Sequence, residues 1–220
     1  MAHNARAGNA TARAVGRKVG RKPAFTEDDV IAAAIDEGLD RFTMSAVAGR
    51  LGVVTAAIYR RFASREMIVV ACLDHIAAGI RLPDDDADWR DVLVLWADEC
   101  WRVCEDFPGL SRVVYEYAPA FTRIEGVLEG YARRLAEHGK TSGQSMFALD
   151  FIGDTVFACH LGVEALRTVD ERGTSGFDRV RQAVDHGSII EPRESWRDRG
   201  VVDVKLDFIL TGLENFWPEI

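Results

Sequence analysis

No uninterrupted apolar run in this 220-residue chain exceeds the seven residues from Met67 to Leu73, whereas a bilayer-spanning helix needs about 20. The N-terminal residues carry arginine and lysine but no apolar stretch of the kind a secretory signal requires. Both absences predict a cytoplasmic protein with no membrane partner. Cysteine is scarce. Cys72, Cys100, Cys104 and Cys159 are too few for a disulfide framework in a chain of this length and are expected to be reduced. There is no Gly-rich phosphate loop, no His-Glu-x-x-His site and no Gly-x-Ser-x-Gly elbow, so no catalytic residue is assigned and no enzyme activity is expected. Zinc-ligand spacing is missing, and the acidic run 84–88 lacks the glycine and terminal glutamate of a calcium loop. No metal and no cofactor are therefore expected. No stretch alternates in the manner of a half-buried strand, and no internal repeat is present.

What is there reads as helix and as two differently charged parts. Apolar residues make up 48% and charged residues 28%, the balance of a globular chain. The net charge of −8 is unevenly spread. Residues 1–70 hold eleven Lys/Arg against seven Asp/Glu; residues 71–220 hold sixteen against twenty-eight. A basic first third on an acidic remainder suggests two tasks on one chain. Residues 1–23 contain Arg6, Arg13, Arg17, Lys18, Arg21 and Lys22, no acid and few bulky apolar residues. Such a segment cannot bury a core and is expected to be a disordered basic arm.

Helix signals follow. Thr26 with Asp29 is close to a capping box, Phe25 and Val30 are placed for a hydrophobic staple, and Val30, Ile31, Ala34 and Ile35 make an apolar stripe. Gly38 can close that helix. Thr43 caps a second, short helix ending near Gly52, a third runs over about 54–62, and Ser64 caps a fourth reaching about Arg81. Beyond Pro83, helices are expected at about 88–105, 109–117, 122–138, 145–170, 177–186 and 202–216, with Pro108, Pro119, Gly139 and Gly143 between them. The predicted fold class is all-α: an N-terminal helix-turn-helix three-helix head (24–70) on a larger C-terminal helical body (71–220).

Residues 43–68, TMSAVAGRLGVVTAAIYRRFASREMI, carry the chemistry. A capped helix, a glycine turn and a second short helix follow the helix-turn-helix plan. Val47, Leu51, Val53, Ile58 and Phe62 can pack inward, which leaves Thr55, Ala56, Tyr59 and Arg60 on the outer face of the second helix. Small and hydrogen-bonding side chains there suit entry into a major groove. Thr43, Val47-Ala48, Gly52-Val53, Ile58-Tyr59, Phe62 and Ser64-Arg65-Glu66 resemble the DNA-binding head of the TetR family of bacterial transcriptional regulators, in order and spacing, over about residues 25–70. Two positions depart from the family pattern: Val54 stands where Ser or Thr is frequent, and Arg65 where Lys is commoner. The resemblance implies phosphate contacts from Tyr59 and Arg65, with Thr43 at a helix N-terminus favourable for a third. Thr55, Ala56 and Arg60 are the candidates for base readout; Arg60 can reach guanine O6/N7, and Ala56 a thymine methyl. Arg50 and Arg61 would add backbone attraction. The basic arm either follows phosphates or an adjacent minor groove, or is a solvated tail, and Tyr59 has packing as its alternative role.

The resemblance further implies that the C-terminal body (71–220) is a ligand-binding and dimerisation domain: a homodimer enclosing a small-molecule effector, with the 145–170 and final helices as the dimer interface, a palindromic double-stranded DNA operator, and repression relieved by the effector. Trp96, Cys100, Tyr117, Phe121, Phe147, Phe151 and Asp154 are the candidate effector contacts, although aromatic residues serve helical cores equally well. Asp150 and Asp154 share a helix face; turned inward, they would favour a cationic or hydroxyl-bearing ligand, and turned outward they are a solvated stripe or a seam contact. His160 reads as a satisfied core or interface histidine, and Cys100 and Cys104 as buried thiols. The competing class is a helical small-molecule-binding protein or enzyme whose hairpin does not read DNA.

Overall fold

The computed structural model describes residues 25–185 and 187–220. The basic arm lies outside the described residues. Ten α-helices and two short 3-10 segments make up the described chain. The only β feature among the described residues is an isolated antiparallel bridge between Val169 and Ser175, which closes a loop.

The first four helices form the head. Helix α1 (Glu27–Glu37) starts from the expected box: Thr26 Oγ1 accepts from the Asp29 amide and the Asp29 carboxylate accepts from the Thr26 amide. Helix α2 (Met44–Arg50) is capped by Thr43, whose hydroxyl accepts from the Ala46 amide. The turn that follows uses Gly52 at φ +65°, backbone that L side chains rarely adopt. Helix α3 (Thr55–Tyr59) is shorter than expected and starts from Val54, whose side chain offers no capping bond. The Phe62 amide still turns back on the Ile58 carbonyl, so the segment beyond Tyr59 remains coiled. Helix α4 (Arg65–Ala78), capped by Ser64, stops three residues before the expected end.

The body follows. Helix α5 (Trp89–Asp106) is capped by Asp88, which accepts from the Arg90 and Asp91 amides. After α6 (Leu110–Glu116), Pro119 sits in a 3-10 segment (Ala118–Ile124) that replaces the start of the expected 122–138 helix, leaving α7 at Glu125–Glu137. Helix α8 (Ser142–Arg167) begins earlier than expected, because Thr141 and Gln144 form a capping box. Helix α9 (Gly176–Ala183) and α10 (Gly200–Asn215) complete the chain. Helix α8 is long and apolar enough, by length and composition, to cross a bilayer, although its polar residues keep every unbroken apolar run short. It also carries Asp150, Asp154, His160 and Glu164 and packs on α5, α7 and α10, so its composition is that of a core helix.

Two apolar cores result. The first gathers α1–α4 but also takes Val103 of α5, Leu110 and Val113 of α6, and Ala120. The second joins α5, α7, α8 and α10 around Trp96, Tyr131, Leu149, Ile152 and Leu210. Helix α4 runs across residue 70, and its Ile68, Val69, Cys72, Leu73 and Ile76 all belong to the first core.

Glu99 ties the two cores together. It is 0% exposed, yet ionised. Burial opposes its charge, but Arg102 Nη2 at 2.7 Å, the Arg81 amide at 2.9 Å and Arg81 Nε at 2.7 Å outweigh that penalty and hold its pKa at about 2. Arg102 also donates to the Gly79 carbonyl, so one carboxylate fixes the α4–α5 connection onto α5. The folded-state pKa is depressed, so this stabilisation is full above the unfolded value of 4.5 and is lost as pH falls toward 2. Glu99→Gln should lower unfolding stability at pH 7 by about 2 kcal/mol. In urea titrations it should also flatten the decline of stability between pH 4.5 and 2 relative to the parent protein.

Candidate nucleic-acid interface and cavity

The outer surface of α3 presents Ala56, Tyr59 and Arg60 to solvent, with Thr55 half-buried at its start. Ala57 and Ile58 face inward into the head core, and this fixes which side of the short helix is free. Tyr59 is 52% exposed, so its ring is not consumed by packing. Thr43 is exposed at the N-terminus of α2. Arg60 has no ion-pair partner among the described residues.

The other arginines of the head are engaged. Arg50 pairs with Asp36 at 2.7 Å and Glu37 at 3.2 Å. Arg61 faces Glu27 at 3.7 Å and lies over the Phe25 ring. Between residues 25 and 70 five arginines face seven acids, so the positive excess of the first third resides in residues 1–23. Arg65 is exposed and also has a local role within the head. Its guanidinium turns inward, donating to the carbonyls of Leu39 at 2.8 Å, Asp40 at 3.0 Å and Phe42 at 3.0 Å, and sits over the Phe42 ring. The loop between α1 and α2 has carbonyls with no helical partner, and a forked donor satisfies several of them at once.

The same loop meets the body. The Leu39 amide donates to the Pro108 carbonyl, and Arg112 reaches Asp40 at 3.3 Å. Gly109, at φ +87°, lies so close that a Cβ there would stand 2.3 Å from Asp40 Oδ1.

A cavity of about 160 Å³ lies between α4, α5, α6, the Ala118–Ile124 segment, α7 and α8. Of the sequence candidates, Trp96, Cys100, Phe121 and Asp154 line it. Tyr117, Phe147 and Phe151 do not. Tyr117 ends α6 on the side of the head, beside Asp40, Arg65 and Glu66. Phe147 and Phe151 stack on each other at 5.8 Å on the exposed side of α8, and Phe151 borders Val204 and Phe208 of α10. Leu73 and Ile76 of α4, Leu128 of α7 and Phe157 of α8 complete much of the wall. The α4 contribution was not foreseen; the continuation of its apolar stripe past the head was the available signal. Trp96 Nε1 donates to the Leu149 carbonyl at 2.8 Å and pins α5 to α8. Burial and the neighbouring Asp150 charge both raise the Asp154 pKa.

His160 is fully engaged: Nδ1 lies 2.8 Å from Ser111 Oγ, Nε2 lies 3.0 Å from Glu105, and the ring meets Trp101 edge to face. Burial pushes the Cys104 thiol up to about 12 and holds Cys100 well above its ordinary range, so both are neutral thiols. Among the described residues no group of three or more His, Cys, Asp or Glu is placed to hold a metal ion.

A helix-turn-helix head seated on a helical body with an internal cavity defines a class of fold, and comparison with known proteins narrows it. Residues 31–72 match the family model for bacterial regulatory proteins of the tetR family. Over 100 residues, 43% of this chain, the sequence is 32% identical to the HTH-type transcriptional repressor DrrR1 of Streptomyces coeruleorubidus; the match spans 37% of that relative's length. The fold resembles that of a possible TetR family transcriptional regulator from Streptomyces coelicolor A3(2), with a TM-score of 0.69 and 22% identity over 86% of this chain and 99% of that one. It also resembles a TetR variant from Acinetobacter baumannii AYE solved with minocycline, with a TM-score of 0.60 and 21% identity over 87% and 94%. Residues 31–72 thus carry the sequence pattern of the tetR-family model, and the described fold resembles that of TetR regulators.

Arg65→Ala should lower the stability of the head by roughly 1–2 kcal/mol through the lost carbonyl bonds. Arg60→Ala should leave the melting temperature unchanged. Calorimetry of the two variants side by side checks the contrast, and equal melting points would refute the inward role of Arg65.

Proposed function

We propose that this chain is a DNA-binding transcriptional regulator, a repressor, that binds a palindromic operator as a homodimer and is released by a small-molecule effector in the cavity. The observation that carries this reading is the outer face of α3, where Tyr59 and Arg60 project without partners while the other head arginines are engaged. Thr55, Ala56 and Arg60 read bases, and Tyr59 and the amide end of α2 at Thr43 hold phosphates. Arg65, which braces the loop between α1 and α2, offers its exposed edge as a further phosphate contact, and the arm of residues 1–23 supplies additional positive charge. The protein acts in the cytoplasm, with 24–70 as the reading unit and 71–220 as the sensing and pairing unit.

Dimerisation is supported by the apolar face left open by α8 and α10. Phe147, Phe151, Val204 and Phe208 all face outward there, Phe208 at 81% exposure. An apolar surface spanning two adjacent helices suits an isologous four-helix contact with a second copy. A two-fold dimer then requires two matching half-sites about one helical turn apart.

Fluorescence anisotropy on the DNA upstream of the protein's own gene, with excess nonspecific competitor at several salt concentrations, tests the reading. Salt-sensitive, competitor-resistant binding is expected. If a selection from random DNA also yields no site, the reading is wrong. Arg60→Ala should cost about 1–3 kcal/mol on the operator and relax preference at one or two base pairs. Phe208→Glu should yield a folded monomer by light scattering, and a dimer unaffected by this change would place the interface elsewhere.

A further inference from the structure

We propose that the cavity takes an amphipathic monocation, an apolar ring body carrying a single ammonium group, with the body inside and the charge at the mouth between Asp150 and Asp154. The inference rests on the cavity being the effector site of the proposed regulator, and it adds the chemical class of the occupant.

Charge is the first argument. The cavity lining holds two charged side chains, Asp150 and Asp154, one turn apart on α8, and no Lys, Arg or His. Neither carboxylate has an ion-pair partner among the described residues. Both are solvent-exposed, so they stand where the charged end of an occupant would emerge. An anion would approach two carboxylates with no donor to receive it. A neutral occupant would gain nothing from either carboxylate, whereas a cation would gain from both.

The walls are the second argument. Trp96, Phe121 and Phe157 offer aromatic surface, and the Trp96 N–H is already spent on Leu149. Aromatic faces attract cations and apolar rings alike. Inside, the Cys100 thiol is 2% exposed, lines the cavity and has no hydrogen-bond partner among the described residues. It is a soft, neutral polar atom left facing the space where a ligand body would rest. Asp154, whose pKa burial and Asp150 raise, is the group whose charge an arriving cation would most relieve.

The test uses the full chain without DNA. Naphthylmethyl-trimethylammonium, naphthylacetamide and naphthylacetate share a ring and differ in charge, and each is titrated by calorimetry. The cation should bind about tenfold more tightly than the amide, and the carboxylate should not bind measurably. In the double variant Asp150→Asn, Asp154→Asn, the cation should fall to the affinity of the amide. Unchanged amide binding in that variant would show that the cavity is intact. Equal binding of cation and amide by the parent, persistence of the preference in the double variant, or no binding of the cation would each overturn the inference. Because no DNA is present, this outcome is independent of the operator experiment. A protein that prefers the cation but binds no operator would sink the regulator reading alone.

Discussion

The loop between α1 and α2 is the fixed point on which the arrangement of the head depends. Its backbone makes no helix, so its carbonyls need donors from elsewhere. Arg65 supplies them from the start of α4, and the Pro108–Gly109 turn closes on the loop from the body. No side chain fits at 109, where the glycine backbone lies against the carboxylate and amide of Asp40. The orientation of α2 and α3 is thus set by two rigid neighbours rather than by their own short lengths. A five-residue helix such as α3 has little stability of its own and holds its shape because Ala57 and Ile58 are anchored.

Helix α5 does the corresponding work in the body. Within three turns it carries Trp96, which pins α8; Glu99, which draws in the α4–α5 connection; Cys100, which faces the cavity; and Val103, which enters the core of the head. The cavity is therefore framed by a helix that belongs to both cores. Its remaining walls come from α4 and α8, the first reaching into the head and the second exposing Phe147 and Phe151 on its far side.

The local part of this architecture was legible in the sequence. The caps at Thr26, Thr43 and Ser64 depend on residues three positions away, and the structure places them there. The same logic should have found Thr141 with Gln144, which moves the start of α8 to Ser142. What was not legible depends on distant neighbours. Arg65 is an exposed basic residue in a pattern where a phosphate contact is reasonable; its bonds to loop carbonyls more than twenty positions upstream could not be read from the sequence. Asp154 lines the cavity while Phe147 and Phe151, on the same helix, do not, because α8 is apolar on more than one face. The choice of inward face was made by α5, α7 and α10, not by α8 itself. Trp96, Cys100 and Phe121 line the cavity because α5 turns an apolar stripe toward it and the Ala118–Ile124 segment forms part of its wall.

Helix α4 has a consequence for behaviour in a cell. It grips the head loop at Arg65 and walls the cavity at Leu73 and Ile76, so one continuous element meets both surfaces. On the proposed reading, the coupling it carries is reciprocal: the factor by which an occupied cavity loosens DNA is the factor by which DNA loosens the occupant. Copies seated on an operator then sense the effector less tightly than copies free in solution. The free copies fill first and act as a sink, and the concentration at which a promoter responds is set by how much protein the cell holds in reserve.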